Sequence, residues 1–107
     1  MAEKAKEAAP SSVVEILNQS MKKVATKSES VHVTAGWSRY YILDNILDHH
    51  GRAWYRMRHG PEAGCMTHED FYHSSEGAVS ALVVHACADR IETITLFKPT
   101  ILYRKTA

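Results

Sequence analysis

Two strand-like runs on either side of one short turn limit most strongly what this chain can fold into. Residues 38–47 (SRYYILDNIL) and 52–59 (RAWYRMRH) are rich in aromatic and β-branched side chains, and Asp48-His49-His50-Gly51 lies between them. A glycine closing a polar turn supplies the left-handed backbone position that a tight reversal needs. The pattern predicts an antiparallel hairpin. Paired across that turn, one face would carry Tyr40, Ile42, Ile46, Ala53, Tyr55 and Met57, and this is the expected core face. The other would carry Arg39, Tyr41, Leu43, Leu47, Arg52, Trp54, Arg56 and Arg58, a wet, basic and aromatic surface. A slip of one residue would shift this pairing, because side chains alternate with period two.

The rest of the chain supplies elements to pack on such a hairpin. Residues 1–10 read as a solvated tail rich in Ala, Lys and Glu, and residues 11–107 as a single domain. Ser12 and Glu15 fit a capping box, and Val14, Leu17, Met21 and Val24 form an apolar stripe, so a helix is expected over about 12–26. Lys22, Lys23 and Lys27 suit its C-terminal end. Val31, Val33 and Ala35 alternate with His32 and Thr34 as a short strand, and residues 65–72 read as another. Ser74-Ser75 then caps a helix that runs to about Arg90. Its residues 78–88 are apolar on nearly every side, which calls for a sheet on one flank and a second helix or a second subunit on the other. Residues 93–97 and 100–104 have strand composition around Pro99, with a continued helix through Ile91 and Ile94 as the alternative. The expected fold is α+β: a short antiparallel sheet packed by a central apolar helix, with an amphipathic helix at the N-terminus. The girth of the central helix points to a homodimer.

Size and charge narrow the function. A chain of 107 residues buries one modest core. Its formal net charge of +1 is too balanced for strong long-range attraction to nucleic acid or an anionic membrane, so any basic surface must be local. No apolar run approaches the roughly 20 residues that span a bilayer. The opening MAEKAKEAAPSS has no apolar signal core, and a reducing, cytoplasmic setting is expected. Cys65 and Cys87 then read as buried or half-buried thiols.

Residues 52–73 admit three chemistries. Trp54 and Tyr41 beside Arg39, Arg52, Arg56 and Arg58 are the residue types that dominate protein–protein contacts, and this is the favoured reading. The same set resembles a stacking platform for nucleic acid, with arginines on phosphates and aromatics on bases. The bland reading is the solvent face of a sheet on which arginine stems cover apolar surface. Cys65-x2-His68-x4-His73, completed by His59 or Asp70, has zinc-type spacing but only one cysteine. His85, inside the apolar helix, reads as a satisfied core or interface histidine. No nucleophile, base and orienting group can be assembled from spacing, and there is no glycine-rich phosphate loop. Neither catalysis nor a cofactor is expected.

From about Val31 to Cys87 the order of elements resembles small accessory proteins of temperate bacteriophages and prophages. The resemblance rests on the Tyr-rich segment Arg39-Tyr40-Tyr41-Ile42-Leu43-Asp44, and on Phe71-Tyr72-His73-Ser74-Ser75 entering the apolar Ala78-Val79-Ser80-Ala81-Leu82. It implies a non-enzymatic protein of a mobile element, acting in the bacterial host cytoplasm as a stoichiometric inhibitor or regulator of a host defence complex.

Overall fold

The computed structural model describes residues 10–27, 29–96 and 100–105. They form helix α1 (Pro10–Lys27), strands β1 (Val31–Ala35), β2 (Arg39–Leu47), β3 (Ala53–Gly60) and β4 (His68–Tyr72), helix α2 (Ser75–Ala86), a 3-10 turn (Ala88–Arg90), and strands β5 (Ile91–Leu96) and β6 (Thr100–Arg104). All of the strands join one antiparallel sheet in the order β4-β3-β2-β1-β5-β6. The fold is α+β. The expected tail falls on residues 1–9, outside the described residues, while Pro10 already opens α1, a position where its missing N–H costs nothing. Ser12 thus lies inside the helix instead of capping it.

The turn after β2 sets the hairpin register. Asp48 Oδ1 accepts from the backbone N–H groups of His50 and Arg52, each at 2.9 Å, and the Asp48 N–H donates to the Arg52 carbonyl at 2.9 Å. Gly51 takes the left-handed conformation, with φ 81°. Arg52 therefore belongs to the turn, and Leu47 pairs with Ala53. The connection is one residue longer than Asp48–Gly51, and that residue inverts β2 relative to the expected faces. Tyr41 and Leu43 share a face with Tyr55 and Met57, while Tyr40, Ile42, Asp44 and Ile46 share the other with Trp54, Arg56 and Arg58.

Both helices cover the first of these faces. The core joins Val13, Leu17, Met21 and Val24 of α1 and Ala78, Val79, Leu82 and Ala86 of α2 to Val31, Val33, Tyr41, Leu43, Met57, Ile91, Ile94 and Tyr103 of the sheet. Val13 heads the α1 stripe, and Val14 is only half-buried. Fully burying side chains such as Leu17 and Leu82 stabilises the fold by about 1.5–3 kcal/mol each. The sheet and α1 bury Ala78, Val79, Leu82 and Ala86 of α2, while Val84 faces solvent at 79% exposure.

Two sharp reversals bring distant segments to one end of the sheet. Ser74 caps α2 as expected, accepting from the Gly77 N–H at 3.0 Å. The helix ends at Ala86, earlier than expected, because Cys87 adopts φ 68° and its N–H closes on the Val83 carbonyl at 3.0 Å. The 3-10 turn then directs the chain into β5, so residues 91–96 and 100–104 are strands. Between β1 and β2, Trp37 and Ser38 have φ of 67° and 57°. Left-handed backbone at a residue with a side chain costs about 1–2 kcal/mol. The Gly36 N–H bond to the Arg90 carbonyl at 2.9 Å, and the Arg90 guanidinium 3.7 Å above the Trp37 ring, hold this reversal. Both cysteines are free and exposed, contrary to the burial expected of them: Cys65 sits in the β3–β4 loop and Cys87 at the reversal after α2.

Candidate functional site

Among the described residues, no helix covers the second face of the sheet. At its centre Asp44 takes two arginines from the neighbouring strand. Arg56 donates through Nε at 2.9 Å and Nη2 at 2.7 Å, and Arg58 donates through Nη2 at 3.1 Å. Glu69 of β4 accepts a further bond from Arg56 at 3.1 Å. The hydrogen bonding of Arg56 to Asp44 is the main cause that holds its guanidinium above its ordinary pKa. These arginines are thus neutralised within the protein, although Arg58 Nε, itself buried, has no hydrogen-bond partner among the described residues. Ile42 is 7% exposed on this side; its cross-strand partner is Arg58, and arginine stems shield such neighbours.

Trp54 stands beside this cluster, fixed from several directions. Its Nε1–H donates to Asp48 Oδ2 at 2.9 Å, the His73 ring lies against it at 4.5 Å between centroids, and Phe71 meets it edge-on at 6.4 Å. The Trp54 bond is the largest cause that lowers the Asp48 pKa. Phe71 remains 45% exposed. Farther along the face, His32 bonds through Nδ1 with the Tyr40 hydroxyl at 2.9 Å and through Nε2 with Ser30 Oγ at 3.0 Å. Burial, and secondly Arg58, push the His32 pKa down. Around Trp54 the face is aromatic, and the charges of Arg56 and Arg58 beside it are paired.

A different cluster forms on the helix side, at the end of the sheet where β1 turns into β2 and β3 runs into β4. Trp37, Arg39, Tyr41, His59, His68 and His85 line a cleft of about 490 Å³. The His59 and His68 rings are parallel at 4.6 Å, and His85 packs on the other contact of His59 at 4.4 Å. His85 Nδ1 lies 2.7 Å from the Tyr41 hydroxyl and 3.3 Å from Arg39 Nη1. A guanidinium only donates, so this nitrogen is the acceptor. The Thr67 hydroxyl engages His68 Nδ1 at 2.9 Å. Burial is the first cause lowering the His59 pKa, followed by His85 and His68, with Asp70 opposing.

The residues expected to form one contact surface are therefore divided. Trp54, Arg56 and Arg58 do share the open face. Arg39 and Tyr41 lie on the opposite side, and Tyr41, at 0% exposure, is a core residue that presents nothing to a partner. Arg52 sits in the turn. The zinc grouping is dispersed: His73 lies on Trp54, His68 stacks on His59 across the sheet, and Cys65 occupies the loop. Among the described residues, no group of three or more His, Cys, Asp or Glu is placed to hold a metal ion. Sequence reasoning missed Asp44 and Phe71 on the open face and the meeting of His59 with His85. Asp44 was discoverable, since an acid in the middle of an apolar strand asks for a cation opposite. His59 and His85 are joined only by tertiary packing.

Comparison with protein-family models, curated proteins and solved structures returns no match. Among the described residues no helix is long and apolar enough to cross a membrane.

Proposed function

We propose that the protein is a non-enzymatic binding protein whose open sheet face docks another protein, with Trp54 and Phe71 as anchors and Arg56 and Arg58 at the polar margin. One observation carries this reading: a rigidly held tryptophan and a 45%-exposed phenylalanine sit beside arginines already neutralised by Asp44. Pre-fixed aromatic anchors lose little entropy on binding, and paired charges resist desolvation less than lone ones. Nucleic acid fits this face less well, because phosphates would have to displace Asp44 from both arginines. The resemblance to phage accessory proteins makes a bacterial host complex, held stoichiometrically and inhibited or regulated, the first partner to seek.

The test is size exclusion with light scattering of the full chain mixed with nuclease-treated bacterial lysate, at low and raised salt. A defined protein partner that co-elutes at raised salt, and is lost with Phe71→Ala, supports the reading. Co-elution of nucleic acid that disappears at raised salt would replace it, since phosphate contacts release counterions. Capture that Phe71→Ala leaves unchanged would move the contact surface elsewhere.

A further inference from the structure

We propose that the cleft between the Trp37–Ser38 turn and the β3–β4 loop binds the oxyanion group of a small organic anion, a phosphate, sulfate or carboxylate, through Arg39 and the stacked histidines His59 and His68. This site lies on the other side of the sheet from the docking face and stands independently of it.

The donors converge, and the acid that faces His59, Asp70 of β4, lies outside the cleft lining. Arg39 is exposed and makes one hydrogen bond among the described residues, the 3.3 Å contact to His85 Nδ1. A guanidinium has five N–H groups in a planar fork suited to an oxyanion, so most of its capacity is unused. His68 is anchored at Nδ1 by Thr67, which leaves its Nε2 edge available. No Asp or Glu lines the cleft. The arginines of the open face, by contrast, already hold carboxylates.

Size and strain point the same way. A cleft of about 490 Å³ falls within the roughly 300–1,000 Å³ of small-molecule sites and exceeds what a bare oxyanion fills. The exposed Trp37 ring on its wall offers an apolar surface for the rest of the ligand. Trp37 and Ser38 keep a left-handed backbone in sequence, and such outliers concentrate where a side chain must be aimed. Trp37 is 71% exposed, so core packing does not explain its placement.

The histidines make binding depend on protons. The groups facing His59 are His85 from α2, His68 and Asp70 from β4, and Arg39 and Tyr41 from β2. Burial first, then His85 and His68, lower the His59 pKa, and Asp70 alone among its neighbours acts in the other direction. An anion in the cleft would favour the imidazolium form, so a proton is taken up on binding and affinity rises as pH falls through the histidine range.

The test follows the histidine ring resonances of the full chain by NMR while sulfate or benzenesulfonate is added at constant ionic strength. Sulfate keeps its charge between pH 8 and pH 6, so any pH dependence belongs to the protein. Saturable shifts at His59, His68 and His85, absent at the exposed turn residues His49 and His50, are expected, with tighter binding of benzenesulfonate than of sulfate. Affinity should rise about tenfold from pH 8 to pH 6 and fall about tenfold in Arg39→Gln, the size of one lost charge-assisted contact. Arg52→Gln should bind normally. His68→Gln gives a second check, with weaker binding, and His59→Gln should show a shallower pH dependence. Shifts that do not saturate, equal affinity at pH 6 and pH 8, or wild-type binding by Arg39→Gln would overturn the proposal. Sulfate binding as tightly as benzenesulfonate would overturn its assignment to an organic ligand.

Discussion

On the open face, both arginines of β3 meet Asp44, whereas at the cleft Arg39 meets only an imidazole. The histidines divide in the same way. His32 is bonded at both ring nitrogens, to Tyr40 and Ser30, while His59 has rings on either side and, among the hydrogen bonds described, no side-chain partner. Similar residue types thus serve different ends. Where each cation has its acid, the charges order a surface around Trp54 and leave aromatic area to be used. Where the acid is missing, the donors remain available to whatever enters. Composition alone does not distinguish these cases, since the net charge of +1 is the same for either arrangement.

The largest effect is expected from a substitution that damages the cleft and spares the open face. A Cβ on Gly60 would lie 2.0 Å from the Cys65 carbonyl oxygen, a backbone atom that cannot rotate away. Gly60→Ala should force the 61–67 loop off β3 and cost about 3 kcal/mol, the upper part of the range for overpacking. Urea unfolding measures the loss. The Trp54 fluorescence of the native state should be unchanged if the two regions are as separate as the topology implies.

A smaller effect should turn the open face into something closer to the cleft. Asp44→Ala leaves Arg56 and Arg58 without their shared carboxylate and should cost about 2 kcal/mol, the scale of hydrogen bonds to a charged group. The freed guanidiniums should also give the protein a salt-sensitive affinity for single-stranded DNA that the parent lacks. Electrophoretic shift at two salt concentrations tests this. If the variant gains no such affinity, the pairing with Asp44 is not what shapes the face.

The smallest effect is expected from the histidines, one on each side. His32 and His59 both have folded pKa values below the ordinary 6.5, with burial the first cause in each case. The unfolded chain therefore binds more protons in this range. Their contribution is complete above about pH 6.5 and is lost as pH falls through the folded values. Urea midpoints should decline from pH 7 toward pH 5, and the slope should shrink in His32→Gln and in His59→Gln. With sulfate present, the decline due to His59 should lessen while that due to His32 persists. An equal response of both would erase the distinction between the two sides.

Much of the fold could be read from local pattern. The helix stripe around Leu17 and Met21, the Ser74 cap, the Gly51 turn and the alternation of Val31, Val33 and Ala35 each record a constraint that acts over a few residues. Such constraints are written into neighbouring side chains, so the α+β class follows from them. The faces of β2 were not legible in this way. Tyr40-Tyr41 and Ile42-Leu43 satisfy a core on either side, and alternation with period two is blind to a shift of one. The choice fell to the Asp48 carboxylate, whose bonds to His50, Arg52 and Trp54 draw Arg52 into the turn and bury Tyr41 in place of Tyr40. The cleft lay still further from view. His59, His68 and His85 come from two strands and a helix, and only the pairing of β3 with β4 and the early end of α2 at Cys87 bring their rings together. Local sequence determines which elements form because their hydrogen bonds and periodic faces are local. Which side chains then meet depends on register and on where each element stops, and those are decided by contacts between residues far apart in the chain.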